Sequence, residues 1–110
     1  MNIKRITAIV PIEMLQPLEN YMRACGVPGV TVETVRGYGE HPNYFRKDLM
    51  KNNAKLVLYT VEDKVDEIVD AMSACARECG IDTGIVAVDS VDRLLHLGDG
   101  SHVPPASLHQ

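Results

Sequence analysis

The sequence predicts an α+β domain with the element order β-α-β-β-α-β. Three observations carry that reading. Runs rich in β-branched residues alternate with two segments whose apolar residues recur every three or four positions. Glycine- and proline-bearing turns separate these segments. The chain has 110 residues, 45% hydrophobic and 24% charged, which suits one globular core and is too short for two.

The first run, Ile3 to Val10, ends at Pro11 and reads as a buried strand. From Glu13 to Cys25, the residues Met14, Leu15, Leu18, Met22 and Cys25 fall at helical spacing, and Gly26 supplies the stop. Pro17 either occupies the first turn of this helix or kinks it. A "GVPGV" turn leads into a second strand, Val30 to Val35, and Lys55 to Val61 reads as a third. The clearest amphipathic helix runs from Lys64 to Cys79, with Val65, Ile68, Val69, Met72, Cys75 and Ala76 on one face. "ECGIDTG" ends it. Ile85 to Val91 is the fourth strand, and Arg93 to Leu97 is a short candidate fifth. Residues 1–100 form the predicted domain. Past them Gly, Ser, Pro and His dominate, and 101–110 is expected to be a flexible tail.

The plan is the split βαβ sandwich of ferredoxin-like domains, with one anomaly. Hairpin loops usually take about two to five residues. The segment 39–54 between the second and third strands is far longer, and Arg36, Arg46, Lys47, Lys51 and Lys55 crowd it and its shoulders.

Composition narrows the function classes. A net charge of -4 argues against a nucleic-acid protein, whose affinity would come from a basic field. The local cations of the central segment can still hold a small anion. With no Trp and a single Phe, Phe45, the core is aliphatic, and its small size makes self-association expected. Cys25, Cys75 and Cys79 form no zinc pattern, and the opening "MNIKRITAIVP" has no long apolar run, so a reduced, cytoplasmic protein is expected. Cys75 and Cys79 lie one helical turn apart on an apolar face, where core packing is the simpler role. His41, His96, His102 and His109 lack the spacing of a metal site. No Ser-His-Asp set or P-loop is present, so no enzyme is expected.

The stretch "ITAIVPIEMLQPLENYMRACGVPGVTVETVRGYG", with its Gly-aromatic-Gly end, resembles the PII signalling proteins. "GIDTGIVAVDSVDRL" resembles the second half of the same pattern. With one gap in the central segment, the likeness reaches about Gly100. The resemblance implies a homotrimer that binds adenine nucleotide in clefts between subunits. It makes 39–54 an effector loop that reports the ligand to a transporter or a metabolic enzyme. By resemblance, Ile9, Thr31, Tyr38 and Tyr59 line base and ribose, and His41 stands at the root of the loop. Gly37 and Gly39 let backbone N–H groups approach an anion. Asp82, Thr83, Gly84 and Ile85 form the phosphate turn, and His96 comes from the last strand of an adjacent subunit.

The departures from the family pattern are informative. Where PII proteins carry Gly-Asp-Gly-Lys, this chain has Asp82, Thr83, Gly84 and Ile85, without the lysine. Two basic positions of the last strand are His96 and Gly98, and His41 replaces a glutamine that helps hold magnesium and 2-oxoglutarate. Each lost charged hydrogen bond should cost about 1–3 kcal/mol. ADP or AMP should therefore bind better than ATP. This profile resembles the divergent PII-like proteins associated with carboxysomes and bicarbonate uptake, with Arg46, Lys47 or Lys51 as holders of bicarbonate. The second reading is a trimeric metal-tolerance protein of the CutA type, using Cys and His ligands.

Overall fold

A computed structural model describes residues 2–37 and 51–109. The order is β1 (Ile3–Pro11), a 3-10 turn (Ile12–Met14), α1 (Leu15–Ala24), β2 (Thr31–Gly37), β3 (Lys51–Val61), α2 (Glu62–Glu78), β4 (Ile85–Val91) and a closing 3-10 turn (Pro105–Leu108). The strands make one antiparallel sheet, β2-β3-β1-β4, so the expected ferredoxin-like architecture is present.

Side-chain alternation divides this sheet cleanly. Even-numbered positions of β1 and β3 face the helices: Ile6 pairs with Leu58, Ala8 with Leu56 and Val10 with Ala54, and all six are buried. Leu18 and Met22 of α1 and Ile68, Met72 and Cys75 of α2 close over them. The two helices cover the central strands more fully than the edges, which leaves Val32 of β2 and Val86 and Val88 of β4 exposed on the same side. On the opposite face, the odd-numbered Thr7, Ile9, Val57 and Tyr59 are only half buried.

Helix starts and stops follow from local chemistry. Pro17 is the third residue of α1, where a backbone N–H has no helical acceptor, so it costs no hydrogen bond. The first turn of α2 carries Glu62 and Asp63 and its last turn Arg77, each sign suited to its end of the helix dipole. Both helices end in the same way. Gly26 (φ 80°) lets its own N–H donate to Arg23 O (3.0 Å) while Val27 N–H donates to Met22 O (3.1 Å). Gly80 (φ 68°) repeats this with Arg77 O (3.1 Å) and Ile81 N–H to Ala76 O (2.8 Å). A glycine tolerates that left-handed position without a Cβ penalty.

Several expected boundaries shift. β2 extends to Gly37, and β3 starts at Lys51 rather than Lys55, because Asn53 is buried between Pro11 and Val35 in the ladders. Residues 51–54 of the expected loop are therefore strand, and the rest of that loop lies outside the described residues. The expected strand from Arg93 to Leu97 reduces to one bridge, Leu95 to His102. Gly100 (φ 70°) reverses the chain there, and the Asp99 carboxylate accepts from Ser101 N–H (3.0 Å) and Oγ (2.7 Å). Beyond it, Val103 N–H donates to Leu94 O (2.9 Å), and the turn Pro105–Leu108 packs against β3. Cys75 is in the core as expected and Cys25 packs against it, whereas Cys79 is exposed at the end of α2.

Candidate functional site

The site residues expected from the sequence divide into three groups. Tyr38, Gly39, His41 and Arg46 lie outside the described residues. Gly37, Ile9, Asp82, Thr83, Gly84 and Ile85 lie toward the end of the sheet where β1 finishes. Tyr59 and His96 lie toward the other end, with Thr31 beside them at the start of β2, level with Val57.

The first end is assembled by the approach of β4 to β1. Ile85 pairs with Ile9 across the β1–β4 ladder, so the two share the face opposite the helices. Gly84 stands immediately before them with φ 103°. A Cβ there would lie 2.6 Å from the Ile9 carbonyl oxygen and 3.5 Å from Val10 Cα. The turn after α2 therefore passes directly over the β1 backbone, and this contact requires glycine. Asp82 is exposed beside it. Thr83, Gly84 and Ile85 also border a cavity of about 150 Å³ whose other walls, including Met14, Leu18 and Met72, are apolar except for Ser73. That space is well below the roughly 300–1,000 Å³ of sites for drug-sized ligands. Gly37 sits across the sheet, paired with Lys51 at the tip of the β2–β3 ribbon, past the end of β1.

The remaining residues are separated by strand geometry. Thr31 pairs with Val57, and Tyr59 is two positions further along β3, so these two are diagonal neighbours on the open face. Tyr59 is four positions from Lys55, the partner of Ile9, or about 13 Å along the strand. His96 follows the far end of β4, about 20 Å from Ile85 by strand rise. It is exposed in the 94–103 hairpin, where its N–H donates to Ser101 O (2.8 Å). One chain thus brings Ile9, Gly84 and Ile85 together and holds Tyr59 and His96 apart from them.

An ion pair that sequence reading missed lies on the open face. Arg5 donates from Nε to Asp89 Oδ1 (3.1 Å) and from NH2 to Asp89 Oδ2 (2.6 Å), in register across β1 and β4. The Asp89 hydrogen bonds and charge hold the Arg5 pKa above its ordinary value. Opposite charges at odd positions of two predicted strands were the available signal. Lys55 and Glu33 make a second pair on this face (3.5 Å). The open face therefore mixes aliphatic residues with internally neutralised charges.

The strand order and the close passage of the turn 82–85 over β1 together define a small ferredoxin-like domain whose expected site residues are distributed along its sheet. The nitrogen regulatory protein P-II family model matches residues 3–96, and the chain belongs to that family. Nitrogen regulatory protein P-II 2 of Methanothermobacter thermautotrophicus is 29% identical over 105 residues, covering 88% of this chain and 90% of the relative. Nitrogen regulatory protein GlnK of Escherichia coli K12 is 25% identical over 104 residues, covering 88% and 93%. Among solved structures, Arabidopsis thaliana PII bound to citrate superposes with a TM-score of 0.75 at 24% identity, over 93% of this chain and 89% of that one. No helix among the described residues is long and apolar enough to cross a membrane.

Proposed function

We propose that the protein is a PII-like sensor of adenine nucleotide, non-catalytic and cytoplasmic, in which ADP or AMP binds in preference to ATP. The observation that carries this reading is the phosphate turn. Gly84 lies against the Ile9 carbonyl with φ 103°, and the turn carries the Asp82 carboxylate while Ile85 stands where a lysine would favour a third phosphate. Fewer negative charges on the nucleotide mean less repulsion at that position.

The distribution of the expected residues supports a site completed by a second copy. His96 is at the wrong end of its own β4 to meet Gly84 of the same chain. A homotrimer places one copy's 94–103 hairpin near the next copy's phosphate turn. In this reading Ile9, Thr31, Tyr38 and Tyr59 contact base and ribose. Gly37, Gly39, His41 and the turn 82–85 surround the phosphates, with His96 from the neighbour.

Bicarbonate is the second ligand, held by Arg46, Lys47 or Lys51, and the central loop reports both ligands to a transporter or a metabolic enzyme. A ligand shifts that loop only as far as it binds its states differently. Equilibrium dialysis with ADP, AMP and ATP, each with and without bicarbonate, tests the reading. Tighter ADP or AMP binding, strengthened by bicarbonate, is the expected result, and absence of adenylate binding at millimolar concentration defeats it. The CutA-type alternative has no observation in its favour, since the family match is to P-II.

A further inference from the structure

We propose that a cleft at the opposite end of the sheet from Gly84 binds a small free α-amino acid as its zwitterion. The cleft, about 220 Å³, lies between the start of β1, the end of β4 and the base of the 94–103 hairpin. Asp92, Arg93 and His102 border it, as do the aliphatic side chains of Ile3, Val91 and Val103.

The charges carry the inference. Asp92 and Arg93 are consecutive, opposite in sign and border the same cleft, and neither enters any ion pair or side-chain hydrogen bond among the described residues. On the open face, by contrast, Arg5 and Asp89 neutralise each other at 2.6 Å. Two separated and unspent charges of opposite sign match a ligand that carries both. The Arg93 guanidinium takes the α-carboxylate through its planar fork, with His102 beside it, and the Asp92 carboxylate takes the α-ammonium. The aliphatic wall then receives the side chain.

The walls are fixed before any ligand arrives. Val103 N–H donates to Leu94 O (2.9 Å), and the Asp99 carboxylate locks the hairpin tip through Ser101. Asn2 Nδ2 donates to Glu62 Oε2 (3.0 Å), which holds the floor of the cleft to the first turn of α2. The volume excludes a nucleotide and admits alanine or valine. The cleft is lined within one chain, and although its hairpin also carries His96, amino-acid binding and adenylate binding are read by separate titrations and can fail separately.

Backbone NMR titration of the full chain tests it with L-alanine, L-valine, N-acetyl-L-alanine, which lacks the ammonium, and L-alaninamide, which lacks the carboxylate. The expected result is saturable shifts at Ile3, Val91 and Val103 with the free amino acids, and affinity at least about tenfold weaker for each blocked analogue. Arg93→Gln should abolish the advantage of alanine over alaninamide, and Asp92→Asn its advantage over the N-acetyl form. Free amino acids that leave these amides unmoved at millimolar concentration overturn the proposal. So does N-acetyl-L-alanine binding as tightly as alanine, which would mark a simple anion site. The analogue comparison needs no variant, so it stands even if a substitution unfolds the protein.

Discussion

Gly84 and Ile9 approach so closely that a Cβ added to Gly84 would lie only 2.6 Å from the Ile9 carbonyl oxygen. Main-chain atoms cannot swing aside as a side-chain tip can, so the clash adds to the cost of φ 103°. Gly84→Ala should destabilise the fold by about 2–4 kcal/mol. Gly80 offers the control, because it also has positive φ (68°) but open space around it, and Gly80→Ala should cost only about 1 kcal/mol. Urea denaturation of the two variants checks the ordering.

The core makes a second prediction. Leu18 is fully buried between α1 and the sheet, so Leu18→Ala leaves a cavity and should cost about 2–5 kcal/mol. Leu97, fully exposed at the hairpin tip, should tolerate the same change within about 0.5 kcal/mol. Thermal and urea midpoints measured side by side test both.

Alkaline pH should weaken the fold by a route that can be assigned. Burial, then the neighbouring Cys79, pushes the Cys75 thiol from its ordinary 9.0 up to about 11. Between those values the folded chain holds a proton that the unfolded chain has released, so stability is full below pH 9 and falls as pH rises toward 11. The Tyr21 hydroxyl is pushed from 10.0 up to about 12, first by its hydrogen bond to Glu78 and then by desolvation, which extends the decline. A urea midpoint series from pH 8 to 11 should slope downward, and Cys75→Ala should flatten its first part.

The open sheet face gives a prediction about assembly. Val57 sits near its centre, paired with Thr7 and Thr31 and only half buried in one chain. If copies associate through this face, Val57→Glu places a charge in the contact and should yield folded monomer by sedimentation velocity. An unchanged oligomer would move the interface elsewhere.

How far the sequence alone led depended on what kind of physics set each feature. The helix faces were legible because Ile68, Met72 and Cys75 repeat with the helical period and all three are buried. The glycine stops at Gly26 and Gly80 were equally plain. The start of β3 was not, because Lys51, Asn52 and Asn53 have poor strand propensity, and it is pairing with Val35 to Gly37 that makes them extended. The exposure of Cys79 was missed since spacing alone places it on the apolar face, whereas the helix runs out one residue earlier. In the candidate site, adjacency of Gly84 and Ile9 depends on the β1–β4 register, which no local pattern encodes. The separation of His96 from the turn 82–85, and the absence of an ion pair at Asp92 or Arg93 among the described residues, are likewise tertiary facts.

The most direct test of the central claim is the order of nucleotide affinities before and after one charge change in the turn 82–85. Calorimetry on the native chain should give tighter binding of ADP or AMP than of ATP, and Asp82→Lys should raise ATP affinity by roughly tenfold or more. Native protein that binds ATP most tightly, or an Asp82→Lys variant with an unaltered order, would contradict the account.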